Sequence, residues 1–307
     1  MRRRAGAHLI LTTRRLDTYL ERGLYWCRED RIANIQPGDT VFLYETSSHR
    51  LTGPFEVNRS LFSAPIGDEP NPYRCVFSFR PSGECFEAGP EALWSAYLER
   101  RVLLFGMAVT DRSACPLMAE DADALTRELR AGRAIRTECR APAPDVRPLE
   151  LLSPTDGRHF SAEYWLEAAL VYHHAELLAA LSRAGIDLGA EVDFYQQAPI
   201  PLTTYGIDLF IAGTNQAVVI EFKKDQVDEC AREQVLRYKA WLDRFGFKRV
   251  HCVLVGYRSS VKAGPEDRVI LYRIDRDARC LRLECDGEEM GSCSLVLAPC
   301  GEPSSGT

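Results

Sequence analysis

Residues 206–224 read Gly206-Ile-Asp208-Leu-Phe-Ile-Ala-Gly213-Thr-Asn-Gln216-Ala-Val-Val-Ile-Glu221-Phe-Lys223-Lys. Two apolar runs, 206–212 and 217–223, flank the turn residues 213–216, and that pattern predicts a β-hairpin. Alternate residues of a strand share one face, so Glu221 and Lys223 point the same way. Asp208 starts the partner strand and reaches the same point if the hairpin closes at 213–216. Val218-Val-Ile220 delivers a charged pair at the end of a buried-type run, and Ile207-Asp208-Leu209 sets a carboxylate inside another. Buried charge is costly without a partner or a metal. A strand-end salt bridge is the bland reading of the same spacing.

Outward from the hairpin, the pattern predicts a helix over 161–184 with Ser161 as N-cap, and a strand over 191–197. A helix over 227–245 and strands over 250–255, 269–274 and 280–285 follow. Helix, hairpin, helix and strand make an α/β layout. Upstream, four prolines within 141–158 mark a linker. The expected organisation is an N-terminal domain over 1–137, a linker over 138–158, a C-terminal domain over 159–298 and a frayed tail over 299–307. The N-terminal domain reads as strands at 8–13, 40–44, 51–57 and 74–79. Helices are expected at 15–21, 90–100 and 118–131, giving a small mixed β-barrel-like pattern.

Two carboxylates and an ammonium at one sheet edge have a chemical use. Mg²⁺ takes oxygen ligands, commonly one or two carboxylates with waters and substrate phosphate. Such a metal activates water and neutralises charge on a phosphodiester. A neighbouring lysine orients the water or stabilises the transition-state charge.

This constellation resembles the PD-(D/E)XK nuclease superfamily. Asp208 matches the lone aspartate and Glu221-Phe-Lys223 the (D/E)-x-K element. Gln234 and Tyr238, in Glu233-Gln234-Val-Leu-Arg-Tyr238, are similar to the Gln-x-x-x-Tyr element of RecB-type nucleases. Gln234 is the one strongly polar member of the face formed by 227, 231, 234, 238, 241 and 245. The family also carries an acidic residue on its first helix. Glu163 and Glu167 lie one turn apart there, and Glu163 is favoured for its early position. The stretch 206–242 is most similar to the C-terminal domains of NucS-type endonucleases. Ile207 stands where the family usually has proline.

The resemblance implies a Mg²⁺-dependent DNA endonuclease, with Mn²⁺ able to substitute. Asp208, Glu221 and Glu163 would hold the metal, Lys223 would act at the water or scissile phosphate, and Gln234 and Tyr238 would support the site. Double-strand cleavage with one site per chain implies a homodimer by symmetry.

At the N-terminal end, Ile35-Gln-Pro-Gly38-Asp39-Thr-Val-Phe-Leu-Tyr44 and Leu51-Thr-Gly53-Pro-Phe-Glu-Val57 resemble PUA-like barrels, EVE and DCD modules among them. The resemblance implies a nucleic-acid reader. A flipped base needs an aromatic wall and polar groups on its edge. The candidates are Tyr25, Trp26, Tyr44, Ser47 and Ser48, with core packing as the bland alternative for the aromatics. Arg14, Arg15, Arg28, Arg31 and Arg50, with Lys224 beside the active-site lysine, are candidates for phosphate contacts. The combined expectation is restriction of modified DNA. The alternatives are a mismatch- or structure-specific repair nuclease and a catalytically inactive nucleic-acid-binding protein.

Composition bounds these readings. The 307 residues are 46% hydrophobic and 27% charged, which excludes a collagen, a coiled coil and a largely disordered chain. No apolar run approaches the roughly 20 residues that span a bilayer, and no signal-peptide pattern opens the chain, so the expectation is a cytoplasmic protein without a membrane. The net charge of −6 argues against a protein that coats nucleic acid through bulk charge. It divides as +1 over 1–140 and −7 over the rest, in keeping with two domains. Eleven scattered cysteines without a Cys-x-x-Cys pair read as reduced thiols, although Cys280, Cys285, Cys293 and Cys300 leave a metal site open. Adjacent His173 and His174 diverge by about 100° on a helix, against a shared metal. No phosphate-binding glycine loop, dinucleotide motif or Gly-x-Ser-x-Gly occurs.

Overall fold

The structure, a computed structural model, describes residues 1–12, 15–27, 35–64, 73–89, 114–136, 149–150, 160, 163–199, 206–265 and 267–297. The chain forms two compact units, one of 5–149 with 298–307 and one of 1–4 with 150–297. Strand β1 (Arg2–Arg3) belongs to the C-terminal unit.

The N-terminal unit is β-rich. Its elements are β2 (Ala7–Thr12), α1 (Leu16–Arg22), β3 (Leu24–Cys27), β4 (Thr40–Glu45), β5 (Arg50–Ala64), β6 (Tyr73–Ala88), β7 (Ala114–Leu117), α2 (Ala119–Arg130) and β8 (Arg133–Ile135). One sheet runs β3-β6-β5-β4-β2-β7, with β8 added to β6. Only β2 and β4 pair in parallel there; the other pairings are antiparallel. The strands at 51–57 and 74–79 are the first halves of two much longer ones. The Gly38-Asp39 turn is built around a fully buried carboxylate. Asp39 accepts the backbone N–H of Gly6 at 2.7 Å and of Gln36 at 3.0 Å, and faces His8 Nε2 at 3.0 Å. The helix expected over 90–100 lies outside the described residues.

A short strand, β9 (Leu149–Glu150), marks the division between units, where the sequence suggests only linker. The C-terminal unit then comprises α3 (Glu163–Tyr172), α4 (His174–Arg183), β10 (Glu191–Pro199), β11 (Gly206–Ala212), β12 (Gln216–Val227), α5 (Glu229–Leu242), β13 (Arg249–Ser259), β14 (Asp267–Asp275), β15 (Cys280–Cys285), β16 (Glu288–Ser294) and β17 (Val296–Leu297). Eight strands form one mixed sheet in the order β1-β10-β11-β12-β13-β14-β15-β16. The β12–β13 and β13–β14 pairs are parallel and the hairpin β11–β12 antiparallel. The single helix expected over 161–184 is broken. His173 leaves the helical region at φ −96°, ψ 46°, and the chain restarts as α4.

Helix α5 is capped by Asp228, whose side chain accepts the N–H of Ala231 at 2.9 Å. It starts two residues later than expected because β12 continues to Val227. Its buried residues are Ala231, Val235, Tyr238 and Leu242. They pack on Ala217 and Val219 of β12 and on Val250, Cys252 and Leu254 of β13. The helix face is thus rotated from the one inferred, and Gln234 and Trp241 lie on its flank. Strand β16 was not expected. It follows the tight turn Asp286-Gly287, both residues at positive φ (51° and 84°), the conformation hairpins favour. No helix among the described residues is long and apolar enough to cross a membrane.

Candidate active site

The β11–β12 hairpin closes in the register Leu209↔Ile220, Phe210↔Val219, Ile211↔Val218 and Ala212↔Ala217. Continued by one pair, that register sets Asp208 opposite Glu221. The turn is tight because Gly213 N–H donates to the carbonyl of Gln216 at 2.9 Å. A side chain at 213 has no room, since a Cβ would overlap the Leu188 carbonyl.

Asp208 Oδ2 accepts the backbone N–H of Phe222 at 2.9 Å. Lys223 Nζ donates to Glu221 Oε1 at 2.8 Å and stands 3.7 Å from Glu163 Oε2. The hairpin and the first helix therefore meet at one point. Glu163 opens α3 with its side chain 48% exposed, whereas Glu221 is buried. Of the two first-helix candidates, Glu163 is the one that faces the lysine; Glu167, one turn on, is buried.

Three carboxylates share one ammonium, so the cluster carries a formal excess of negative charge. Burial pushes the Glu221 carboxyl up to about 7, with the Asp208 charge adding and the Lys223 hydrogen bond opposing. Burial alone would lower Lys223, but its hydrogen bond to Glu221 and the surrounding carboxylates outweigh this and raise it. The second Glu221 oxygen, Oε2, is buried with no hydrogen-bond partner among the described residues. A buried carboxylate oxygen normally has a partner.

Those features fit a hard divalent cation. Glu221 offers an oxygen without a hydrogen bond, Asp208 and Glu163 add carboxylates, and a dication would offset the negative excess. They fit an open site completed by water, not a closed protein cage. Among the described residues no group of three or more His, Cys, Asp or Glu side chains is arranged to hold a metal ion.

The Gln234–Tyr238 pair supports the site from behind. Gln234 Nε2 donates to the Tyr238 hydroxyl at 2.7 Å, and that hydroxyl donates to the Gly206 carbonyl at 3.1 Å. This pins the first residue of the strand that carries Asp208. Burial raises the Tyr238 phenol, Gln234 opposes, and Glu221 and Asp208 add to the rise.

A β-bulge that no sequence signal marks follows Lys223. The pairing with β13 shifts between Lys223↔Gly256 and Gln226↔Arg258. The buried Tyr272 donates its hydroxyl to the Lys224 carbonyl there. Bulges beside a site re-aim side chains. Gly256, opposite Lys223, is also required, since a Cβ would lie 2.7 Å from Val227 Cγ2. Lys224 itself is half-buried.

The aromatic candidates for a base-reading wall are buried and the two serines are exposed. Tyr25 and Trp26 are buried, Tyr25 stacked on Phe77 and Trp26 edge-on to Tyr19. Tyr44 is buried, with its hydroxyl 2.7 Å from His49 Nδ1. Tyr25 and Trp26, adjacent on β3, lie on opposite faces of the strand, and both are covered by neighbouring rings. Ser47 is exposed in the turn, and Ser48 donates to Glu45 at 2.5 Å. Arg50 is bound to Asp17 and Glu87, so its charge is already matched. Arg15 is exposed; Arg14, Arg28 and Arg31 lie outside the described residues. Of the C-terminal cysteines, Cys285 and Cys293 are buried thiols, both raised by burial, and Cys300 lies outside the described residues.

No protein-family model matches the chain, and no curated protein matches its sequence.

Proposed function

We propose that the C-terminal unit is a Mg²⁺-dependent phosphodiesterase that cleaves DNA internally, on a PD-(D/E)XK-type core. The observation that carries this reading is the buried Glu221 oxygen without a hydrogen bond, held between Asp208, Glu163 and a lysine anchored on the same carboxylate. Glu221 and Asp208 would bind the metal directly, and Glu163 would reach it through a bound water. When bound, Mg²⁺ supplies Lewis-acid stabilisation and a water of lowered pKa.

The chain's own groups do the rest. Glu221 Oε1 holds Lys223 Nζ in place, and the ammonium donates to the attacking water or a scissile-phosphate oxygen. Tyr238, through Gly206, keeps Asp208 in register. The N-terminal β unit is read as the PUA-like part that chooses the substrate, modified or mismatched DNA. Its Asp39-centred turn supports that likeness. The aromatic residues named from sequence are buried in this structure.

One observation favours a second reading, a nucleic-acid-binding protein without catalysis. The 2.8 Å Lys223–Glu221 contact already gives the carboxylate a cationic partner without any metal. A single experiment separates the two. The full chain is incubated with Mg²⁺ or Mn²⁺ and three substrates: an unmodified plasmid, a plasmid with modified cytosines and a mismatched duplex. Asp208→Ala is the control. Metal-dependent cutting that the control lacks supports the nuclease, and the preferred substrate assigns restriction or repair. Absence of cutting, with no Mg²⁺ or Mn²⁺ binding by titration, favours the second reading.

A further inference from the structure

A second site lies in the same unit, in a cleft of about 450 Å³ between the end of α5 and the first residues of β13 and β14. It is not the catalytic cluster. Arg249 pairs with Gln216, five residues before Glu221 along β12, which is about 17 Å of strand.

The cleft is basic once its internal pairs are removed. Asp267 is buried and takes Arg232 Nε at 2.6 Å, with a further bond from the Gly264 N–H. Asp243 takes Lys239 Nζ at 2.8 Å. Both carboxylates in the lining are thereby matched. Lys248, Arg249 and Arg268 make no ion pair among the described residues, and all three line the cleft. Arg268 is held in place, its Nη1 donating to the Asp267 carbonyl at 2.9 Å. His251 sits beside them, with Nε2 2.7 Å from Gln216 Oε1. Its imidazole is lowered, first by burial and then by Arg249 and Arg268, as expected where two guanidiniums create a positive field.

We propose that this cleft binds a phosphate group, carried either by a free nucleotide or by a nucleic-acid strand. Three cations with no ion-pair partner among the described residues, all lining one concavity, favour an anion, and guanidiniums match phosphate oxygens in geometry. The volume is that of a small-ligand site and exceeds a bare phosphate. The Arg232–Asp267 pair fixes one wall by tying α5 to the first residue of β14. Nothing in this inference depends on the carboxylate cluster cleaving DNA.

The test uses the full chain without divalent metal, titrated with AMP and with a 16-base-pair duplex across a salt series. The variants are Arg249→Gln/Arg268→Gln and the exposed single change Lys248→Gln, with Asp208→Ala as the active-site control. AMP binding that weakens at least about tenfold in the double variant, and is unchanged in Asp208→Ala, assigns the free nucleotide. Duplex binding alone, with the log–log salt slope reduced by about 2 in the double variant, assigns the strand backbone. Binding of both probes unchanged within twofold in folded variants, or no binding of either by the wild-type chain, overturns the proposal. If the double variant does not fold, Lys248→Gln decides: a loss of threefold or more supports the site, and a smaller one overturns it.

Discussion

Asp208 accepts the N–H of Phe222, the one residue between Glu221 and Lys223, at 2.9 Å. A side chain on one strand is thus locked to the backbone of the other at the centre of the Glu221-Phe-Lys223 element. The carboxylate both fastens the hairpin end and joins the charge cluster.

That double duty sets the first prediction. Lys223→Ala should lower metal-dependent cleavage by at least about a hundredfold, the scale for losing one transition-state donor. It leaves every strand hydrogen bond in place, so circular dichroism and the melting temperature should stay close to wild type. Asp208→Asn should also lose cleavage while keeping an acceptor for Phe222. Full activity in either variant would remove the mechanism.

The Glu221 carboxyl titrates near 7 in the folded chain, against an ordinary value of 4.5. A raised carboxyl costs nothing when both states are protonated, and its penalty grows as pH rises from 4.5 through 7. The penalty at pH 8 is on the order of 2–3 kcal/mol. Glu221→Gln should therefore raise thermal stability at pH 8 and leave it unchanged at pH 4. Melting curves at the two pH values check this; equal shifts at both would contradict it.

Metal binding favours the charged form, so affinity should climb as Glu221 ionises. Between pH 5.5 and 7 the Mg²⁺ or Mn²⁺ affinity should rise by more than about tenfold, then level off above pH 8. Titration calorimetry reads this directly. A flat profile would mean that Glu221 is not a ligand.

Tyr238→Phe removes the hydroxyl joining Gln234 to the Gly206 carbonyl. The loss should be about 1 kcal/mol in chemical denaturation, since a part-buried carbonyl is left without this donor. Activity should fall less than in Lys223→Ala, because the hydroxyl acts through Gly206.

Gly256→Ala places a methyl 2.7 Å from Val227 Cγ2, beside the bulge after Lys223. Overpacking of this kind costs about 1–3 kcal/mol. The double variant Gly256→Ala/Val227→Ala should recover most of that loss. No recovery would place the strain elsewhere.

The hairpin at 206–223 was legible because its information is local. Alternation, a Gly-Thr-Asn-Gln turn and two apolar runs fix the pairing, and the pairing puts Asp208 opposite Glu221. Strand β16 was legible in principle through its Asp286-Gly287 turn, but Glu288-Glu-Met-Gly-Ser-Cys-Ser294 has little strand propensity to draw attention to it. The break at His173 carried no such signal. The burial of Tyr25 and Trp26 was not legible either, since an aromatic strand residue fits a core and a stacking wall equally well by type.

By itself, then, the sequence determined the mixed α/β character, the hairpin and the residues Asp208, Glu221 and Lys223. Those follow from period and turn chemistry, which act over a few residues. Tertiary structure decided what depends on distant partners: that Glu163 rather than Glu167 faces the lysine, that Tyr272 reaches the bulge at Lys224 from 48 residues away, and that Glu221 is buried. It also brought Lys248, Arg249 and Arg268 into one cleft. Charge balance and desolvation are properties of packed neighbours, and only the folded chain says which neighbours a side chain has.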